Sequence, residues 1–381
     1  MNWLFSYTRG DRIIWFVVIV LSIFSLLAVY SSTGTLAYKY QSGDTEHYLL
    51  KHAMTFFLSF GLLFAAHKIK YTYYSRISLF AIIIAIPLLA LTLLLGANIN
   101  EASRWLTLPG TTMTFQTSDF AKLALILYVA RVLSKKQDNI KDFKSAFLPV
   151  MVPVLIVCGL ILPANFSTAA VLFTTCLFLM FIGRVNIKYI LVLVGTGVVL
   201  LSLFITIALF SKTQGRVGTW KKRIENFSHG GGEGNYQVQQ AKIAIATGGI
   251  SGKGPGRSTQ RNFLPHPYSD FIYAIIIEEY GLGGGILIVL LYIILFYRCI
   301  KVVHKNPRAF ATLLSVGCGF SLIFQAMINM EVAVNLFPVT GQPLPLVSMG
   351  GTSILFTGIA IGIILSVSRE TEKEGGELAT A

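Results

Sequence analysis

The sequence predicts an all-α polytopic membrane protein of about ten transmembrane helices, and three observations carry that prediction. Apolar residues make up 54% of the 381-residue chain and charged ones only 13%, whereas a soluble domain carries about a quarter charged residues. The apolar residues fall in runs that approach the roughly 20 residues a helix needs to cross the hydrocarbon layer. The excess of 31 Lys and Arg over 17 Asp and Glu, a net charge of +14, sits in short clusters between those runs. A nucleic-acid binder would gather it on one solvated face. Cys158, Cys176, Cys299 and Cys318 are too far apart for a CxxC redox motif, a zinc finger or a disulfide scaffold.

The runs are Ile13–Tyr30, Tyr48–Ala66, Ile77–Leu95, Phe120–Leu133, Phe147–Leu162, Thr168–Gly183, Ile187–Phe210, Phe271–Tyr297, Ala309–Ile328 and Ser353–Val367. The first lacks a small-x-small cleavage site and is read as a retained helix rather than a signal peptide. Orientation follows from the short loops. Lys68, Lys70, Arg76, Arg131, Lys135, Lys136, Lys141, Lys144, Arg184, Lys188, Arg298, Lys301, Lys305 and Arg308 fall on one side; only Lys39, Lys51 and Arg104 fall on the other. Cytoplasmic loops are the Lys- and Arg-rich ones, so both termini are expected inside. A single transmembrane domain over 1–368 is then followed by a short, disordered cytoplasmic tail, 369–381. No internal repeat is visible, which disfavours inverted-repeat transporter folds.

Three outer loops collect the polar chemistry: Gly96–Ser118, the roughly 60-residue stretch 211–270 between helices 7 and 8, and Asn329–Gly351. A loop that long is unusual unless it forms a lid or a binding site. Within it, Asn235–Thr247 reads as an amphipathic helix on the membrane surface. Arg216, Lys221, Lys222 and Arg223 upstream suit lipid headgroups or an anionic substrate.

Asp270 stands where the long loop, through Leu264-Pro-His-Pro-Tyr-Ser-Asp270, meets the eighth span. It suits a helix cap. It equally suits a general base held at the water–lipid boundary by a proline-stiffened approach. Glu278 and Glu279 lie two turns deeper, where a carboxylate must face the bundle interior and find partners; Glu279 is read as structural and Glu278 is left open. Asp119 and Lys122, spaced i,i+3 at the start of the fourth span, form an ion pair facing a cavity or a cap beside a snorkelling lysine. Gly248-Gly-Ile-Ser-Gly-Lys253-Gly-Pro-Gly-Arg257 offers free amides and cations to a phosphate. It is no Walker A loop, because Lys253 is followed by Gly254. The stretch Phe337–Ser353, with three prolines and no charge, must be re-entrant or packed on protein; it contains Ser348, Gly350 and Gly351.

Taken in order, Gln116-Thr-Ser-Asp-Phe-Ala-Lys122, then Tyr236-Gln with Thr247-Gly-Gly-Ile-Ser-Gly-Lys-Gly254, then Asp270-Phe-Ile-x5-Glu-Glu279-x-Gly281, then Pro338-Val-Thr-Gly-x-Pro-Leu-Pro345-x-x-Ser-x-Gly-Gly-x-Ser353 resemble the SEDS family (FtsW, RodA, SpoVE). The resemblance runs over nearly the whole chain. It implies ten spans and a peptidoglycan glycosyltransferase that polymerises lipid II on the outer face of the bacterial cytoplasmic membrane. The implied partners are a class B penicillin-binding protein transpeptidase and other divisome or elongasome membrane proteins. By resemblance Asp270 occupies the essential carboxylate position and is expected to be catalytic, while Asp119 and Lys122 match the family's acid–lysine pair. Substrate or pyrophosphate contacts are expected from Lys122, Asp119, Arg104, Lys253, Arg257 and Ser348, with Glu278, Glu279, Gly350 and Gly351 in support. A divalent cation, Mg or Mn, is a possible cofactor. Thr117 replaces the family's usual Pro, Asp119 its usual Glu, and His266 a common acidic residue. The Leu162–Thr168 turn is only a partial match. The N-terminal half resembles FtsW and the Val339–Pro345 stretch RodA, with the balance towards the division protein. A flippase for the same lipid-linked precursor and a non-catalytic scaffold for the transpeptidase stay open as alternatives.

Overall fold

The computed structural model describes residues 9–34, 36, 45–99, 102–107, 114–210, 232–304 and 308–380. Lys39, Arg216, Lys221, Lys222, Arg223 and Lys305 lie outside them. Helices occupy the positions of all ten predicted runs: α1 Arg12–Ser32, α2 Thr45–Lys68, α3 Tyr71–Leu95, α4 Thr117–Lys135, α5 Leu148–Ile161, α6 Phe166–Ile182, α7 Ile187–Phe210, α9 Ile272–His304, α10 Ala309–Ala333 and α11 Thr352–Thr380, with α8 at Gly232–Gly248. Among the described residues, seven helical segments are long and apolar enough to cross a membrane. Their large outward side chains, such as Phe57 and Leu94 at 82% exposure each, suit hydrocarbon rather than water.

One expectation is corrected. The Gly96–Ser118 segment is not all loop. Ala97–Ile99 (β1), Ala102–Thr107 (β2) and Thr114–Gln116 (β3) form an antiparallel sheet in the order β1-β2-β3, with Trp105 opposite Gln116. Trp, Thr, Phe and Ile favour the pleated strand once neighbouring strands can pair. α11 continues to Thr380, with Arg369 and Thr371 buried. Extending an existing helix adds one hydrogen bond per residue without a new nucleus. The chain forms two compact units, one of Met1–Lys68, Glu225–Val302 and Leu322–Ala381, the other of Ile69–Ile224 and Val303–Ser321.

In the first unit α11 packs along α2. A Cβ on Gly358 would lie 2.3 Å from Ser59 Oγ, and one on Gly362 would lie 2.4 Å from the Leu63 carbonyl. This pair of glycines four residues apart lets two backbones approach as small-xxx-small motifs do in membranes, and Ser59 Oγ donates to the Ile354 carbonyl at 2.8 Å. Asp11 caps α1 by accepting from the Ile13 and Ile14 amides and pairs with Arg298 of α9.

In the second unit α3 packs on α4 and α5, and α4 on α6. Thr92 Oγ1 donates to Thr117 Oγ1 at 3.0 Å, and Arg131 donates to the Ser75 carbonyl. Asn165 caps α6 through the Thr168 amide at 3.3 Å, which gives the partly matching Leu162–Thr168 turn a structural task. Phe178 stacks on Phe320 with ring centroids 3.8 Å apart.

Candidate active site

Asp270 is the second residue before α9 and half-buried. Its own backbone and that of Ser269 precede the helical ladder, so their carbonyls need donors from elsewhere. Ser348 Oγ donates to the Ser269 carbonyl at 2.5 Å, and Asn329 Nδ2 donates to the Asp270 carbonyl at 2.9 Å. One residue earlier, the Met349 amide donates to the Tyr268 carbonyl at 2.9 Å. On the carboxylate itself, the Ser269 hydroxyl donates to Oδ1 at 2.9 Å. Gly341 passes close by: a Cβ there would lie 3.6 Å from Oδ2. The acid at the head of α9 is thus fixed by the chain that leads into it, by α10 and by the 338–351 segment.

That proline-rich segment is packed on protein, as its composition requires. Ser348 Oγ accepts from the Leu344 amide at 2.8 Å, Gln325 Nε2 of α10 donates to the Pro343 carbonyl at 2.9 Å, and Asn329 Nδ2 donates to the Gln342 carbonyl at 2.8 Å. Tyr292 of α9 donates to the Pro345 carbonyl. Prolines at 343 and 345 leave carbonyls that a regular ladder would have used, and buried side-chain donors satisfy them. Ser348 is buried, with its hydroxyl engaged by the Leu344 amide and the Ser269 carbonyl. Gly350 and Gly351 lead into α11 through bonds from the Ser353 and Ile354 amides.

Glu278 and Glu279 are both buried and both partnered. Glu278 accepts from Lys253 Nζ at 2.5 Å, from the Ser258 hydroxyl, from Thr259 Oγ1 at 2.8 Å, and from the Thr259 and Gln260 amides at 3.1 Å and 3.2 Å. Glu279 accepts from the Ser31 hydroxyl and from the Ser258 amide at 3.3 Å, and Arg261 Nη1 donates to the Ser31 carbonyl at 2.9 Å. Both carboxylates therefore hold the 253–261 loop.

The glycine-rich stretch is bonded into α9. α9 breaks at Gly281, whose φ is +70. The break frees the Glu278 and Glu279 carbonyls, which accept instead from the Lys253 and Gly254 amides at 2.9 Å each, while the Leu282 amide donates to the Gly249 carbonyl at 2.9 Å. The loop is spliced into the gap in the helix. Only glycine fits there. A Cβ on Gly252, itself at φ +76, would lie 2.2 Å from the Glu279 carbonyl, and one on Gly281 would lie 2.1 Å from the Ile250 carbonyl. Two amides and the ammonium that a phosphate cradle would offer are thus committed to α9. Arg257 stays exposed at the far end of the loop.

In the second unit Asp119 sits in the first turn of α4, where a carboxylate is favoured by the helix N-terminus. Its Oδ1 meets Lys122 Nζ at 2.9 Å, the ion pair read from the i,i+3 spacing. Its Oδ2 is buried without a hydrogen-bond partner among the described residues. Arg104 lies in β2, and its side chain is outside the described residues. Asp270, Ser348, Lys253, Arg257, Glu278 and Glu279 share the first unit; Asp119, Lys122 and Arg104 belong to the second.

Among the described residues, no three of His, Cys, Asp or Glu gather as ligands for a metal ion. Asp270 could still contribute one carboxylate to a Mg or Mn ion that takes its other ligands from substrate phosphates, the way such ions are commonly held.

Asn329 and Gln325 are the site residues that sequence reading passed over. They lie one turn apart on a helix otherwise rich in apolar residues, and that i,i+4 pair of amides was the available signal.

A helical membrane protein with a braced acid at the head of a broken helix is the class that fold and site define. Comparison with known proteins makes the assignment specific. Residues 11–373 match the Cell cycle protein family of FtsW, RodA and SpoVE, and the chain belongs to that family. It is 32% identical over 374 residues to the "Probable peptidoglycan glycosyltransferase FtsW" of Trichlorobacter lovleyi, covering 96% of this chain and 94% of that protein. It is 31% identical to "Stage V sporulation protein E" of Bacillus subtilis, covering 95% and 98%. The rod shape determining protein RodA of Thermus thermophilus shares the fold, with a TM-score of 0.70 at 24% identity over 97% of this chain and 99% of that one. So does a chain from a peptidoglycan synthase complex, with a TM-score of 0.72 at 24% identity over 95% and 98%.

Proposed function

We propose that the protein polymerises lipid II into glycan strands at the outer face of the bacterial cytoplasmic membrane. In this reading it has ten spans with both termini inside, and it works with a class B penicillin-binding protein transpeptidase among other divisome or elongasome proteins. The observation that carries the reading is the placement of Asp270. Its carboxylate stands at the head of α9 on a backbone fixed by Ser348 and Asn329, in a chain of the FtsW/RodA/SpoVE family.

The chemistry follows from what such a carboxylate can do. An acceptor sugar hydroxyl attacks an anomeric carbon, the bond from that carbon to the polyprenyl pyrophosphate breaks, and the hydroxyl loses its proton. Asp270 takes that proton as general base. The departing pyrophosphate needs positive charge. Arg257, exposed in the loop spliced to α9, suits this role; Lys253 contributes less, since Glu278 already neutralises it. Lys122 and Asp119 are assigned to substrate by their motif alone, and Arg104 by its place in an outer loop. A divalent cation, where used, would neutralise charge on the pyrophosphate.

A flippase would need deep charges open to a transit path. Glu278 and Glu279 are instead enclosed by the 253–261 loop, which favours polymerisation. Purified protein together with its transpeptidase, given lipid II in detergent where sidedness is lost, should yield glycan strands even when the transpeptidase is inhibited. Absence of strands under those conditions would favour the flippase or scaffold readings.

A further inference from the structure

We propose that Asn329 is a positioning residue for the catalytic carboxylate, coupling the 338–345 segment to Asp270 through one side-chain amide. The proposal rests on the reading of Asp270 as the general base.

Asn329 is buried on α10, and its Nδ2 donates to two main-chain carbonyls, Asp270 at 2.9 Å and Gln342 at 2.8 Å. Both partners are acceptors only, so the amide orientation is fixed by chemistry: nitrogen faces them and oxygen faces away. The oxygen, Asn329 Oδ1, has no hydrogen-bond partner among the described residues. A buried residue that leaves its acceptor unmatched while spending both donors is placed there for the donors.

Those donors act on two points that define the acid's surroundings. One is the carbonyl of Asp270 itself, outside the helical ladder of α9. The other is the carbonyl of Gln342, adjacent to Gly341. Gly341, at φ +65, is the residue whose Cβ position would lie 3.6 Å from Asp270 Oδ2. Releasing the amide would loosen the backbone under the carboxylate and the 338–345 segment beside it at the same time. Ser348 would still hold the Ser269 carbonyl, so the segment would shift rather than detach. A shift of about 1 Å at a proton-transferring group costs on the order of a hundredfold in rate.

No aspartate can do this work when ionised, since a carboxylate has no proton to donate; a protonated one restores a single donor. Asn329→Asp has almost the same shape, so it separates hydrogen bonding from packing.

The test uses the full chain with its transpeptidase, lipid II in detergent, and four proteins: wild type, Asn329→Ala, Asn329→Asp and Asp270→Asn. Asn329→Ala should lower kcat by about tenfold to a hundredfold with KM for lipid II nearly unchanged and a lower thermal midpoint, since two buried carbonyls lose their donor, while Asn329→Asp should lose kcat out of proportion to its thermal midpoint. Asn329→Asp should be poor at about pH 8 and recover relative to wild type as the pH falls and its carboxyl gains a proton. Wild-type kcat in both Asn329 variants, with Asp270→Asn inactive, overturns the positioning role and leaves the base reading standing. So does a kcat loss that only tracks a lower thermal midpoint with a flat pH ratio. Wild-type polymerisation by Asp270→Asn removes the base reading, and the positioning role with it.

Discussion

At the scale of single residues, the clearest asymmetry is between Glu278 and Lys253. Glu278 is fully buried and collects six donor contacts on its two oxygens, while Lys253 is one donor among them and partly exposed. Removing a buried acceptor that others depend on leaves several donors unmatched, whereas removing one donor leaves the acceptor well served. Glu278→Ala should therefore cost about 3 kcal/mol or more, and Lys253→Met about 1 kcal/mol, read as losses of thermal midpoint in detergent. Equal losses for the two would mean that the ion pair alone, not the loop amides, is what the glutamate serves. The deep placement of both glutamates was legible from their number along α9 and the cost of a lone charge in lipid. Their partners were not, because the loop that meets them is 17 or more residues away in sequence and Ser31, the other partner of Glu279, lies on α1.

The helices themselves could be read almost entirely from apolar run length, since a span has no other way to satisfy its backbone in lipid. What sequence could not supply was the way elements meet. The Gly248–Gly254 stretch reads as a phosphate cradle by composition, yet its backbone completes a helix whose own ladder is interrupted. The β1–β3 sheet was missed because strands of three to six residues give little periodic signal. The α2–α11 contact makes a sharper test at this scale. Gly362 leaves no room for a side chain against the Leu63 carbonyl, while Gly61 on α2 has open space around it. Gly362→Val should destabilise by about 1–3 kcal/mol through overpacking; Gly61→Ala should leave the thermal midpoint unchanged or slightly raised. The pair shares residue type and helical setting, so a loss at both sites would place the cost in the glycines themselves rather than in this contact.

For the whole molecule, the proposed topology can be tested by chemical labelling, because Cys158, Cys176, Cys299 and Cys318 are all buried and give little background. A cysteine in place of the exposed Ser251, in the loop spliced to α9, should react with a membrane-impermeant maleimide on intact spheroplasts. One in place of Lys136, after α4, should react only after permeabilisation. The reverse pattern would put the candidate site on the cytoplasmic side, where the basic clusters argue it does not belong. The most direct measurement of the central claim is the rate of glycan formation from lipid II by Asp270→Asn, which keeps size and removes the base, alongside its affinity for lipid II. Strand formation should fall below detection with affinity within about threefold of wild type. Polymerisation at the wild-type rate would show that the proton is taken elsewhere and that the acid at the head of α9 is not the base.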